Sequence, residues 1–236
     1  MAGGAGASAE VKTESQKLKA DGNPNPEAAT VGRQKAEVRA EIRQLLRCLS
    51  AEERATQSAR ACERLRQQAI WREAKTVLFY APLGDELDLT SLFVDCEAEG
   101  RRIALPGFDA TRGNYAAWFI ADWRRDVAAG KFGILEPAAH CRRHPVERVD
   151  LILVPGVAFT SDGWRLGRGK GFYDRLLSQV SGQRCGVAWN FQVREALPHE
   201  PHDLAMDYLL TPERLVGPAS SRSVVIRPTE QNPPRG

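Results

Sequence analysis

The sequence has no apolar stretch approaching the length of a membrane-crossing helix, so no helical span is expected. Its beginning lacks an apolar signal core, and Glu10, Glu14, Asp21 and Glu27 argue against a transit peptide. The five cysteines are scattered, odd in number and without a Cys-x-x-Cys pair. That usage argues for reduced thiols and a cytoplasmic location rather than a disulfide framework. An excess of one charge is also missing. The 33 basic and 30 acidic residues leave a net charge of +3, too balanced to argue for nucleic acid from bulk charge. No Ser-His-Asp or Cys-His arrangement stands out, so nucleophilic catalysis gains no support. Large apolar residues are almost absent from positions 1–32, which cannot bury enough surface to offset the entropy of ordering and are expected to be disordered. Residues 217–236, with Pro218, Pro228, Pro233 and Pro234, read as a loose tail carrying one short extended piece at 224–226.

What remains is an ordinary globular composition, 42% hydrophobic and 27% charged in a chain of 236 residues. From Arg33 onward the pattern is regular. Val38, Ile42, Leu45, Leu46 and Leu49 recur at three- and four-residue spacing and predict an amphipathic helix. Ser50 followed three residues later by Glu53 is a capping box opening a second helix to about Ile70. Strands are predicted at 76–81, 102–106, 115–120, 151–154, 185–189 and 208–211, with a helix over 90–99 closed by Gly100. Short apolar strands interleaved with helices predict a single α/β domain over residues 33–216, built as three α/β/α layers on a mainly parallel sheet. In such sheets ligands sit beyond the carboxyl ends of the strands.

One segment there carries chemistry: Arg165-Leu166-Gly167-Arg168-Gly169-Lys170-Gly171-Phe172-Tyr173-Asp174. Alternating glycines permit positive φ and close backbone approach. Successive N–H groups in such a bend make an anion-binding concavity. Arg165, Arg168 and Lys170 add positive charge, and Asp174 is a hard oxygen ligand suited to Mg²⁺. The apolar run 150–156 before it and the helical pattern from Phe172 after it suggest a strand, loop and helix N-terminus in series, which favours phosphate. The P-loop spacing is not met, because Trp164 stands five before Gly169, and the dinucleotide fingerprint is not met either. Three further groups bear on the site. Lys35, Arg39 and Arg43 share one face of the first helix, either as a solvated basic face or as cations held toward phosphate. Asp85, Glu86 and Asp88 follow a strand end, where Asp88 suits a helix cap and Glu86 a ligand contact. His199, Glu200, His202 and Asp203 cluster before the last strand, and Asp203 fits Mg²⁺ better than the group fits zinc. The run from His140 to His144 reads as a polar surface loop.

In order and spacing these segments resemble the 5-formyltetrahydrofolate cyclo-ligase family, also called 5,10-methenyltetrahydrofolate synthetases. The likeness runs from about Arg33 to Leu215. It is carried by 150–156 and 165–174, with support from Lys35 to Arg39, Gly84 to Asp88, Phe132 to Pro137 and His202 to Asp207. The resemblance implies conversion of 5-formyltetrahydrofolate to 5,10-methenyltetrahydrofolate with ATP and Mg²⁺, through a phosphorylated formyl group. It implies that Lys35, Arg39 and the run Arg165, Leu166, Gly167, Arg168, Gly169, Lys170, Gly171, Phe172 and Tyr173 bind ATP, with Arg168 and Lys170 nearest the transferring group. Asp174 and Asp203 would hold the metal, and Ala81, Glu86, Arg168 and Phe172 would face the folate. The partners implied are small molecules met by a monomer, without nucleic acid or membrane. Two positions depart from the pattern: Gly107 stands where the family often carries Arg, and Trp164 where a small polar residue is common. A rival reading, a nucleic-acid binder, would interleave more aromatics with its cations than Phe172 and Tyr173. Another is a relative that keeps the ATP cradle for a different formylated or carboxylated substrate.

Overall fold

The apolar runs become strands buried on both faces. The computed structural model describes residues 26–130, 135–199 and 203–217. Its strands, in chain order, are β1 (Thr76–Leu78), β2 (Arg102–Asp109), β3 (Asn114–Ile120), β4 (Val127–Ala129), β5 (Leu135–Pro137), β6 (Arg143–His144), β7 (Leu151–Pro155), β8 (Ala158–Thr160), β9 (Arg165–Leu166), β10 (Gln183–Val187), β11 (Val193–Arg194), β12 (Tyr208–Leu210) and β13 (Leu215–Val216). Eight of them form one sheet in the order β13-β12-β10-β7-β1-β2-β3-β6. The five strands from β12 to β2 are parallel, and β13, β3 and β6 join antiparallel at the two sides. The helices are α1 (Pro26–Cys48), α2 (Ala51–Arg66), α3 (Ala69–Arg72), α4 (Leu92–Ala98), α5 (Trp123–Asp126) and α6 (Phe172–Leu177).

Period-two alternation divides each parallel strand between two cores. Val77, Ile103, Leu105, Leu151 and Leu153 face one side, where Ile42 and Leu46 of α1, Leu65 of α2, Trp71 of α3 and Phe93 of α4 cover them. Leu78, Ala104, Ile152 and Val154 face the other, against Leu176 and Leu177 of α6, Phe159 and Met206. Each fully buried Leu, Ile or Val contributes about 1.5–3 kcal/mol through the water it sheds. Burial on both sides explains why these strands read as unbroken apolar runs.

Several expectations need correction. Helix α1 begins at Pro26 rather than near Arg33. Pro is preorganised for a first helical turn, and the exposed Ala29, Thr30 and Gly32 give that turn no apolar periodicity to read. The second helix divides into α2 and α3, with Gln67 as the C-cap of α2. Its capping box forms as expected: Ser50 Oγ accepts from Glu53 N at 3.1 Å, and Glu53 Oε2 accepts from Ser50 N at 2.8 Å. The glycine-rich loop does not leave β7 directly. The short segment between them folds as β8 and β9, which pair with the later β11 in a small sheet, and the loop springs from β9. Strands of two and three residues are too short to leave a periodic signal. Residues 1–25, the piece at 224–226, nearly all of the tail, Phe132 to Ile134 and residues 200–202 lie outside the described residues.

Sheet order fixes where a cleft can open. From β1 the chain crosses through α4 to β2 on one side and later reaches β7 on the other. The loops after β1 and β7 therefore diverge at the carboxyl ends of two adjacent parallel strands, the place where α/β sheets bind ligands.

Candidate active site

The loop after β1 is shaped by its own hydrogen bonds. Tyr80 donates from its hydroxyl to Leu87 O, Leu83 N donates to Glu86 Oε2 at 3.0 Å, and Glu86 N donates to Leu83 O at 2.9 Å. Asp88 caps the following turn by accepting from Thr90 N at 2.8 Å, as its position suggested. Ala81 is half-buried at the mouth of the strand. The Glu86 side chain is about nine-tenths buried, at 10% exposure. Burial pushes its carboxyl above the usual carboxylate value, and the Leu83 N–H and Arg168 offset this only in part.

From the other side comes the glycine-rich arm. Gly169 and Gly171 take φ of 91° and 61°, which confirms the need for glycine at two of the three alternating positions. Arg168 reaches across the switch point. Its guanidinium donates to Asp85 Oδ1 at 2.6 Å and Glu86 Oε1 at 3.1 Å. Burial works against its charge, but the two carboxylates outweigh that and hold its pKa above the ordinary value. Helix α1 forms a third wall. Arg39 Nε donates to Gly167 O at 2.9 Å, and Lys35 pairs with Asp203 at 3.5 Å. Arg43, one turn further on, is exposed. The shared face thus divides into two cations turned to the arm and one in solvent. Burial, and then Arg43, pull Arg39 below the ordinary guanidinium value.

Arg165 lies deeper than the sequence suggested. Its side chain is 5% exposed, donates to Asp174 Oδ1 at 2.6 Å and to Pro155 O at 3.4 Å, and lies 5.6 Å over the Tyr173 ring. It braces the root of the arm and orients the carboxylate at its end. Leu166 is buried in the same root. Phe172 and Tyr173 open α6, a helix of six residues, with ring centroids 4.9 Å apart, and Phe172 also meets Tyr115 of β3 at 3.7 Å. Asp174 remains half-exposed, with Oδ1 on Arg165 and Oδ2 beside the Gly171 turn. One hard, half-exposed carboxylate oxygen next to a glycine turn with positive φ fits Mg²⁺, which keeps waters and shares phosphate oxygens rather than demanding a full protein cage.

Both departures from the family pattern have local causes. A β-carbon on Gly107 would stand 2.9 Å from the Trp118 ring, so the indole takes the room a side chain would need. Trp164 stacks on His199 with centroids 4.0 Å apart. The run from His140 to His144 is not simply surface, since Cys141 and His144 are buried. Asp126, His140 and Cys141 bring their ligating atoms within 4.8 Å. The Asp126 carboxylate already accepts from Ala121 N, Asp122 N, Arg125 and His140, which makes it a cap for its turn. Motif reading missed the turn after β10, where Trp189 Nε1 donates to Asp85 O at 3.0 Å. A tryptophan ending a strand on the ligand side of the sheet was the available signal.

Fold and cleft together define a single-domain α/β enzyme whose site lies at the carboxyl ends of a mainly parallel sheet. The model of the 5-formyltetrahydrofolate cyclo-ligase family matches residues 31–212, and the chain belongs to that family. It is similar to the 5-formyltetrahydrofolate cyclo-ligase of Mus musculus, 28% identical over 200 residues that cover 78% of this chain and 96% of that protein. The Mycolicibacterium smegmatis protein of the same name is 34% identical over 148 residues, 59% of this chain and 75% of that one. Among solved structures, the 5,10-methenyltetrahydrofolate synthetase of Aquifex aeolicus superposes with a TM-score of 0.72 at 35% identity, covering 84% of this chain and 99% of that one. No helix among the described residues is long and apolar enough to cross a membrane.

Proposed function

We propose that the protein converts 5-formyltetrahydrofolate to 5,10-methenyltetrahydrofolate with ATP and Mg²⁺, working as a cytoplasmic monomer on small molecules through the domain at 33–216. The observation that carries this reading is Arg168 spanning the switch point to Asp85 and Glu86, which joins the glycine-rich arm to the loop after β1. A cation at that junction stands between a phosphate cradle and a buried carboxylate, where a group passing from one substrate to the other would be held.

The formyl oxygen attacks the γ-phosphorus, the bond from that phosphorus to the bridging oxygen breaks, and ADP leaves. Folate N10 then attacks the activated formyl carbon, the carbon–oxygen bond breaks to release phosphate, and the N10 proton passes to solvent as the ring closes. Such chemistry needs positioning and charge stabilisation rather than a side-chain nucleophile. Lys35, Arg39 and the run from Gly167 to Tyr173 hold the triphosphate, with Arg168 and Lys170 at the transferring group, while Arg165 and Leu166 brace the root of that run from beneath. Asp174 and Asp203 are the carboxylates that would hold Mg²⁺, which neutralises phosphate charge when bound. Ala81, Glu86 and Phe172 line the folate side with Arg168. The test is to mix purified protein with 5-formyltetrahydrofolate, ATP and Mg²⁺ and follow the methenyl product by its near-ultraviolet absorbance. The reading expects absorbance to rise in step with ADP. No rise, with ATP left intact, overturns it.

A further inference from the structure

A closed ring of contacts joins the loop after β1, the glycine-rich arm and the turn over 189–192. On the solvent side the ring is completed by Arg168, 43% exposed, between the glycine-rich arm and Asp85 and Glu86. On the buried side it is completed by the turn over 189–192. Gln192 is 4% exposed and spends its amide entirely on main chain. Its Nε2 donates to Gly156 O at 3.0 Å and Val157 O at 2.9 Å, and its Oε1 accepts from Trp189 N at 2.8 Å. Trp189, 2% exposed, donates from its indole N–H to Asp85 O at 3.0 Å. Gly156 and Val157 form the turn that sets the root of the arm. Val157 N donates to Leu166 O at 2.8 Å, and Arg165 donates to Pro155 O at 3.4 Å. One short turn thus touches both the loop that carries Glu86 and the strand-end turn from which the arm departs.

We infer that Trp189 and Gln192 are positioning residues for the reaction, holding the carboxylate loop and the root of the glycine-rich arm in register while Arg168 exchanges its carboxylates for ligand. The inference rests on the proposed function for its kinetic meaning and on geometry alone for its mechanical meaning. The guanidinium is 43% exposed and Asp85 31%, while Glu86 is buried at 10%, so an anionic ligand can compete for Arg168 from the Asp85 side. When it does, that link between the walls opens. The link through Trp189 and Gln192 is buried away from a ligand that displaces the Arg168 contacts, so it persists. Reacting groups must be held closely, and a displacement of about 1 Å can lower a rate roughly a hundredfold.

Trp189→Phe deletes the indole donor along with part of the ring system, and Gln192→Glu keeps Oε1 but replaces the amide donors to Gly156 O and Val157 O with a carboxyl oxygen. In the full-length protein both should lower the thermal midpoint, through the void and the unsatisfied carbonyls they leave, and should still lower kcat by tenfold or more at temperatures well below that midpoint. Both should also speed hydrogen exchange in peptides covering 83–88 and 165–171 without any ligand present. Unchanged kcat or unchanged exchange in both variants overturns the inference. If the parent protein makes no methenyl product, the proposed function fails, and the exchange measurement still decides the mechanical claim. Should Gln192→Glu fail to fold, Trp189→Phe decides alone. A fall in kcat recovered by stabilising solutes, with exchange at parent rates, assigns the turn a structural role only and likewise overturns the inference.

Discussion

Arg168 and Lys170 sit two apart on the same arm, and their surroundings separate their roles. Arg168 is already paired with Asp85 and Glu86 through Nε and Nη2, so donating to phosphate from those atoms requires the carboxylate contacts to loosen. Replacing it with Ala should raise KM for both substrates as well as lower kcat, because the junction of the two walls is lost. Lys170→Ala should abolish turnover in the absorbance assay while the circular dichroism spectrum stays that of the parent. Full activity in that variant would remove the arm from the mechanism. Glu86 offers a pH signature. Its carboxyl titrates above the usual carboxylate value because it is buried, so the acid limb of kcat/KM should lie higher in pH than an exposed carboxylate would put it. Activity falls as pH drops and Glu86 takes up its proton, and Glu86→Gln should remove that limb along with most of the activity. A pH–rate profile of the two proteins decides it.

At the scale of elements, the lengths of the pieces follow local chemistry, whereas their connection does not. Ser50 caps α2 through a reciprocal pair of hydrogen bonds that the Ser-Ala-Glu-Glu sequence announces. Ser50→Ala should cost about 1 kcal/mol of stability, read as a lower midpoint in urea unfolding. Gly163 is a different case. It sits between β8 and β9 with φ of 98°, and a β-carbon there would drive into the carbonyl of Met206. Met206 N in turn donates to Gly163 O at 2.8 Å, tying the hairpin to the segment that leads from Asp203 into β12. Gly163→Ala should cost more than the roughly 1–2 kcal/mol that the backbone conformation alone imposes on a β-carbon. It should also weaken ATP binding, because both the root of the arm and Asp203 shift. Thermal unfolding and nucleotide titration measure the two effects. The glycine was visible in the sequence, but its partner 43 residues downstream was not, since nothing local marks a contact made across two strands.

For the whole molecule, acid is the vulnerable direction. His144 is buried at the edge of the main sheet with its Nε2 unbonded among the described residues, and burial, then the nearby Arg102 and Arg148, hold its pKa below the ordinary value. The unfolded chain takes up a proton near pH 6.5 while the folded one does not, so stability falls as pH drops below that value. Asp126 adds a second loss at lower pH. Arg125 foremost, with His140 and two backbone N–H groups against the opposing effect of burial, keeps its carboxyl well below the usual range. Its contribution is complete above the unfolded value near 4 and disappears as pH falls toward its folded value. The thermal midpoint should therefore be highest near neutrality and decline in two stages. His144→Gln should flatten the first stage and Asp126→Asn the second, by calorimetry across pH 3 to 8 in steps of about half a unit.

By itself the sequence determined six of the eight strands of the main sheet, all but the two-residue β6 and β13, together with the α2 cap, the arm and its charges. These depend on period-two burial, helix-end hydrogen bonding and the backbone freedom of glycine, all of which act over a few residues. Lys35 and Arg39 were legible as a pair but not as a site, because helical spacing cannot say which way a face turns. Only tertiary structure decided that Arg165 is a buried brace, that Arg168 is held by carboxylates 82 and 83 residues away, and that Trp189 and Gln192 bind the two walls together. Those contacts follow from sheet order. The loops after β1, β7 and β10 are distant along the chain and become neighbours only when their strands pair side by side and all three carboxyl ends open on the same edge.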